Sequence, residues 1–358
     1  MVAPITGKKR KSMPEAIIEP DLPIIDPHHH LWDRRPVMHL IPPPVHPFEH
    51  ISYRKGHYLL DQLLADTGTG HNIAATVYLE CRSMYRADGP IEMKCVGETE
   101  FVNGVAAMAA SGLYGKTLAC AGIVSTAELL AGADVGRVLD AHMAAGGSRF
   151  KGIRRSTSYD ADPGVLGPLN RNSAGVMMEP KFREGFAELD KRGLSFDAWL
   201  LEPQIPEVID LARQFPGTPI VLDHVGTPLG LASYAGKLPE RFNIWRDNIR
   251  VLAKCENVHV KLGGLAMPFC NFPSMLSDRR APSEQLAKEW GPYVEVCIEA
   301  FGPKRAMFES NFPVDEVSCD YPTLWNALKL IAKGASKDEK HELFFGTANR
   351  FYRLGLSA

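Results

Sequence analysis

The sequence contains no Cys-x-x-Cys pair, no apolar run of membrane-spanning length and almost no net charge, and each absence removes a class of protein. Its seven cysteines (Cys81, Cys95, Cys120, Cys255, Cys270, Cys297 and Cys319) are odd in number and dispersed. That pattern reads as reduced thiols in a cytoplasmic protein rather than as a disulfide framework. No stretch approaches the roughly 20 apolar residues that a bilayer requires, so no membrane partner is expected. With 40 Lys and Arg against 42 Asp and Glu, the formal charge is −2. A nucleic-acid binder would instead carry a basic stripe to neutralise phosphates. The short basic run Lys8-Lys9-Arg10-Lys11 is followed by no apolar stretch and is therefore not a secretory signal. No solenoid-length repeat and no low-complexity linker interrupts the chain.

What remains is a long, ordinary-composition chain with a strict internal order. Of 358 residues, 45% are hydrophobic and 23% charged, enough to bury a large core. After a polar tail spanning 1–21, expected to be flexible, short β-type runs alternate with amphipathic helical stretches. The runs are Pro23–His28, Ile73–Glu80, Leu118–Val124, Phe150–Arg154, Leu194–Leu200, Pro219–Asp223, Val258–Leu262 and Arg305–Glu309. Helical patterns cover Tyr58–Asp66, Glu98–Ala110, Val135–Ala145, Pro180–Arg192, Gln204–Phe215, Ala232–Leu252, Pro282–Phe301, Tyr321–Ala332 and Lys337–Leu354. Eight strand–helix units make either a closed parallel barrel or a doubly wound sheet. No Gly-x-Gly-x-x-Gly turn follows the first run, which favours the barrel. The expectation is one (β/α)8 TIM-barrel domain over 22–358. The segment Asp33–Gly56 carries five prolines (Pro36, Pro42, Pro43, Pro44 and Pro47). It follows the first strand, so it is either a stiffened surface excursion or a wall over the substrate.

Chemistry-bearing residues gather at the C-terminal ends of the strands, where barrels of this kind place their active sites. In Asp26-Pro27-His28-His29-His30, period-2 geometry turns His28 and His30 to one side and His29 to the other. Two converging imidazoles suit half of a metal site or a proton-handling pair. His224 ends the sixth strand and would reach the same cavity. Glu309 and Asn311 end the eighth with matching parity; a buried Glu309 needs a cation or hydrogen-bond partner, such as Lys261 or Arg154. Aromatic residues near the rim (Trp32, Tyr53, Tyr85, Trp199 and Phe269) suit a ring-containing substrate or simply fill space.

Together the segments IIDPHHHLWD, KGIRRS, VLDHVGTP, HVKLGGL, RAMFESNFPVD and FFGTANRFYRL resemble the amidohydrolase superfamily. The resemblance lies with its branch of 2-pyrone-4,6-dicarboxylate, sugar-acid and muconolactone-type lactonases, and extends over nearly the whole chain from Ile24. It implies that His28, His30 and His224 are the histidines of the site. It also implies that Asn311 stands where the family has the aspartate that activates water. An amide takes no proton at neutral pH, so the base must lie elsewhere. Leu194–Trp199 carries no histidine, which argues against a two-metal centre; this branch works with one metal or none.

The resulting expectation is a hydrolase for a small lactone or ester, aromatic-derived or carboxylated, opened by water at the barrel mouth. His28, His30 and His224 would hold one divalent ion, zinc or manganese, if the metal-dependent route applies. Glu309 or Asp197 would then handle the proton. In a metal-free route a histidine serves as base, with Arg154 or Lys261 at the developing oxyanion. Arg154 would grip a substrate carboxylate, and Glu80 and Tyr159 either line the pocket or are structural. Two other readings stay open: a metal-dependent decarboxylase of an aromatic acid, and a barrel that only binds its small molecule. A homodimer is compatible with the family, which contains both monomers and dimers.

Overall fold

The computed structural model describes residues 13–277 and 279–357; the basic run at 8–11 lies outside them. Eight parallel strands form one sheet in strict chain order: β1 (Pro23–His29), β2 (Asn72–Leu79), β3 (Leu118–Ser125), β4 (Phe150–Ile153), β5 (Ser195–Ala198), β6 (Ile220–Leu222), β7 (Val258–Leu262) and β8 (Ala306–Phe308). Each is followed by a main helix: α1 (Leu60–Thr67), α2 (Val96–Ala110), α3 (Gly136–Gly146), α4 (Pro180–Asp190), α5 (Ile205–Gln214), α6 (Leu238–Leu252), α7 (Ser283–Phe301) and α8 (Tyr321–Ile331). This is the expected (β/α)8 barrel. The ring closes just beyond β8, where His29 and Phe312 form a parallel bridge. Asn311 N–H there donates to His28 O at 2.9 Å and His30 N–H to Phe312 O at 2.8 Å.

Local sequence explains both layers. β2, NIAATVYL, is rich in β-branched and aromatic residues and buried on both faces after its first positions, as parallel barrel strands are. On α5, Ile205, Val208, Ile209 and Ala212 are buried at the i, i+3, i+4, i+7 spacing of one helical stripe. The strand–helix interface forms one continuous apolar core. A second cluster fills the barrel interior: Ile25, Val77, Leu79, Val124, Val221 and Met307 pack on Phe345, Ala348, Phe351 and Tyr352. The end of the chain therefore plugs the barrel floor.

Two helical expectations shift. The pattern at Ala232–Leu252 becomes a short 3-10 turn and then α6, because Gly236 sits at φ +76° and ends the first piece. Lys337–Leu354 becomes Lys337–His341, a π-type turn at Glu342–Gly346 and Thr347–Phe351. Its start carries a capping box, with Glu339 N–H donating to Ser336 Oγ and Ser336 N–H to Glu339 Oε2. Near the other terminus, Ser283 N–H donates to Glu15 Oε1, and Lys329 Nζ donates to Ile18 O and Glu19 O, so residues 15–19 run beside α7 and α8.

Candidate active site at the barrel mouth

The first strand delivers the alternation its sequence implies. His28 and His30 enter the mouth with ring centroids 5.0 Å apart. His29 turns to the opposite face, its Nε2 2.8 Å from Thr76 Oγ1. His30 Nδ1 lies 2.8 Å from Leu79 O, a pure acceptor, so that nitrogen carries the proton and Nε2 keeps its lone pair. Burial pushes both His28 and His30 well below the usual imidazole range; Lys261 reinforces this for His28 and Arg154 for His30. Both rings are neutral.

The sixth strand breaks the period. His224, Val225, Gly226 and Thr227 all have φ between +48° and +80°. This is a left-handed turn that a β-branched residue such as Val225 adopts only under constraint. The turn lets consecutive residues Asp223 and His224 both face the site. Trp245 anchors it by donating Nε1–H to Val225 O at 2.7 Å. The space for His224 is provided by β7's sequel, Gly263-Gly264. A Cβ on Gly264 would lie 2.2 Å from His224 Nδ1, and one on Gly263 would lie 2.5 Å from Glu309 Cγ.

Glu309 joins the two halves. Its Oε1 accepts from His224 Nδ1 at 2.7 Å and from the His224 backbone N–H at 3.2 Å. Its Oε2 lies 2.6 Å from His28 Nδ1. Beside them, Lys261 Nζ sits 2.7 Å from Asp197 Oδ2, 3.0 Å from Asp223 Oδ1 and 3.2 Å from His28 Nδ1. Arg154 binds Glu80 through Nε at 3.0 Å, donates Nη1–H to His28 Nε2 at 3.2 Å, and stands 3.6 Å from Asp223 Oδ2. Burial raises the Asp197 carboxyl to about 6, against the pull of Lys261. For Asp223 burial pushes the same way, but Lys261, His224 and Arg154 outweigh it and hold it below the usual carboxylate range.

Nine of the ten residues singled out by the sequence thus form one connected group, every member between 0% and 8% exposed. They are His28, His30, Glu80, Arg154, Asp197, His224, Lys261, Glu309 and Asn311, the last joined through its backbone bond to His28 O. Tyr159 is set apart: its backbone N–H donates to Gln204 Oε1, and its ring is half-buried in the loop after β4. Sequence reasoning missed Asp223, because a strict alternation turns it away from His224. It also missed Tyr352, whose hydroxyl rises from the barrel floor to Asp197 Oδ2 at 2.6 Å. Asp26 is a third omission. It accepts from Ser310 N–H and Oγ–H and from Tyr321 OH, fastening β1 to β8, and burial raises its carboxyl to about 6. The Gly-Gly pair after β7 was the visible signal of a crowded site.

Ligand atoms of His28, His224 and Glu309 lie within 4.8 Å of one another, a group able to hold a divalent ion. The charges fit such an ion. Four buried carboxylates (Glu80, Asp197, Asp223 and Glu309) face two buried cations, Arg154 and Lys261. His30 stands beside this triad rather than within its reach.

Above the group, the latter part of the segment after β1 packs against the loops of the mouth. A two-stranded ribbon, Trp32–Asp33 against His57–Tyr58, pins its base. Phe48 stacks on Trp199 and Phe269, with centroids 6.4 and 5.3 Å apart, and the Arg154 guanidinium lies 5.8 Å from the Trp199 ring. Ile51, Leu166, Leu201, Leu229, Met267 and Val314, from six different loops, complete this apolar cover. Trp32, Trp199 and Phe269 therefore do line the covered mouth, whereas Tyr53 and Tyr85 are exposed. Among the described residues, no helix is long and apolar enough to cross a membrane.

Known proteins share this architecture. The chain is 36% identical to the uncharacterized protein y4mH of Sinorhizobium fredii, over 93% of this chain and 99% of that one. It is 26% identical to an L-fucono-1,5-lactonase of Burkholderia multivorans, over 58% of this chain and 64% of that one. A zinc-bound amidohydrolase structure from Burkholderia multivorans matches the fold at a TM-score of 0.68 and 23% identity, covering 92% and 99% of the two chains. A barrel from Pseudomonas putida, assigned as a 2-pyrone-4,6-dicarboxylic acid hydrolase, matches at 0.60 and 15% identity, covering 94% and 99%. The amidohydrolase family pattern itself spans residues 25–354. This chain belongs to the amidohydrolase family of barrel hydrolases.

Proposed function

We propose that the chain opens a small lactone by attack of water on its ring carbonyl, at the cluster beneath the cover. The observation that carries this reading is the Glu309 carboxylate held between His28 and His224, beside two buried cations. Ester hydrolysis needs a proton acceptor for water and a positive group for the oxyanion. Glu309 and His224 supply the first. With Nδ1 turned to Glu309, His224 keeps Nε2 for the water proton, and the carboxylate stabilises the resulting imidazolium. Lys261 and Arg154 supply the second, fixed in place by Asp197, Asp223 and Glu80. A divalent ion at His28, His224 and Glu309 would polarise the carbonyl and acidify the water. Asp197, the other proton-handling candidate, already accepts from Lys261 and Tyr352 on Oδ2, and serves better as an anchor.

Similarity to an L-fucono-1,5-lactonase supports the lactone class, and the aromatic cover suits a ring. The seven unpaired cysteines support a reducing, cytoplasmic setting. The test is a panel of sugar-acid lactones, pyrone carboxylates and aryl carboxylic acids, followed by acid release and by CO2 release. Acid release from a lactone supports the proposal. CO2 from an aryl acid, with every lactone inert, would replace it with decarboxylation, and binding without turnover would leave a carrier.

A further inference from the structure

The loop that follows β2 carries strain that its own residues do not explain. Arg82 and Met84 both sit in the left-handed region, at φ +60° and +54°, where residues other than glycine stay only under constraint. The constraint is a buried carboxylate. Glu98, in the first turn of α2 and 0% exposed, turns one oxygen to three donors. Its Oε1 accepts from Tyr78 OH at 2.7 Å, from Cys81 N–H at 2.9 Å and from Ser83 N–H at 2.9 Å. Oε2 has no hydrogen-bond partner among the described residues. Gly97 lets the loop lie this close, since a Cβ there would stand 2.6 Å from Met84 O. A charged oxygen sustains three donors better than a neutral one does.

The same loop begins at the residue that grips Arg154. Glu80 directly precedes Cys81, and it holds the guanidinium twice: Oε1 accepts from Nε at 3.0 Å, and the backbone O accepts from Nη2 at 2.5 Å. We infer that Glu98 is a positioning residue for the reaction: by holding Cys81 and Ser83 it fixes Glu80, and through Glu80 the aim of Arg154 at the oxyanion. The inference rests on the lactone reading above, in which Arg154 stabilises that charge. Burial and then the Glu80 charge raise the Glu98 carboxyl to about 7, against its three donors. The other groups around it stay protonated through that range. Burial pushes the Tyr78 and Tyr85 hydroxyls and the Cys81 and Cys95 thiols upward. Arg34, Arg82 and Arg86 bring positive charge to Cys81, Tyr85 and Cys95. Above about pH 7 Glu98 is therefore the anion the loop needs; below it, protonation weakens all three bonds.

Wild type, E98Q and Y78F, each shown to be folded by circular dichroism, are compared with the fastest lactone of the panel above, beginning with L-fucono-1,5-lactone. At about pH 8, E98Q should have kcat and kcat/KM lowered together, at least about tenfold, with KM nearly unchanged. The ratio of wild type to E98Q should fall toward one as pH drops through about 7, because protonated Glu98 resembles the amide and titrations elsewhere cancel in the ratio. Y78F removes one donor from the carboxylate and should move that fall to higher pH. Crystal structures at about pH 8 read Arg154 directly: its guanidinium should stand about 1 Å or more from its wild-type place in E98Q. A ratio that does not change with pH, or an unmoved Arg154, overturns the proposal. If E98Q does not fold, Y78F decides by the same two readouts: a pH profile identical to wild type, or an Arg154 unmoved at about pH 7 in the crystal, sinks it. Displacement of Arg154 in E98Q while wild type opens no lactone would remove the lactonase reading and leave the role of Glu98 standing.

Discussion

Single residues here carry more than their types announce. Asp26 is a buried acid held by donors from Ser310 and Tyr321, yet burial keeps its carboxyl near 6 instead of 3.8. A raised acid pKa means that the folded state binds more protons than the unfolded chain between those values. Its contribution to stability is thus complete below about pH 4 and is lost as pH rises through 6. D26N removes this slope. Unfolding by denaturant should show wild type losing about 3 kcal/mol relative to D26N between pH 4 and pH 7; parallel profiles would refute the assignment. The same scale marks where sequence reasoning succeeds and fails. His28, His30 and Glu309 obey strand alternation, so their convergence is readable from spacing. Asp223 escapes because His224 enters the left-handed region, a dihedral that no period-2 rule contains. Asp315 escapes because its hydrogen bond with the Asn311 amide is made across a turn.

At the scale of elements, the strands and helices are legible to within a few residues because eight β-branched runs alternate with eight apolar stripes. The ends are less so: α6 starts late, at Leu238 after Gly236, and the last helix bends through a π-type turn. Nothing in the spacing of FFGTANRFYRL says that Tyr352 rises to Asp197, since the barrel floor is assembled only when the chain returns to it. The proline-rich segment was open between surface excursion and wall, and it divides: 35–45 is largely exposed, whereas 46–51 packs against the apolar cover. Phe48 is half-buried and stacked on Trp199 and Phe269. F48A removes stacking worth about 1 kcal/mol and loosens the cover. KM for the lactone should rise about fivefold to tenfold, with the fold destabilised by about 1–2 kcal/mol. An unaltered KM would show that the segment does not touch the substrate's path.

At the scale of the whole molecule, one apolar core, a plugged floor and an apolar cover isolate a charged group in which acids outnumber cations. That imbalance calls for a dication or for protons. Zinc added to wild type at about 100 times its Kd should stabilise the fold by about 2.7 kcal/mol, raising Tm by about 3–4 °C for a chain of this size. E309Q, lacking one of the three ligands, should show little shift. Equal shifts in both proteins would place the ion elsewhere.

The most direct measurement is single-turnover lactone opening in H2-18O with wild type and E309Q, with the product acid read by mass spectrometry. Wild type should place one 18O in the new carboxylate and none in the released hydroxyl, and E309Q should do so at least about 100-fold more slowly. Label in the hydroxyl, or an E309Q rate equal to wild type, would contradict water attack on the ring carbonyl driven by Glu309.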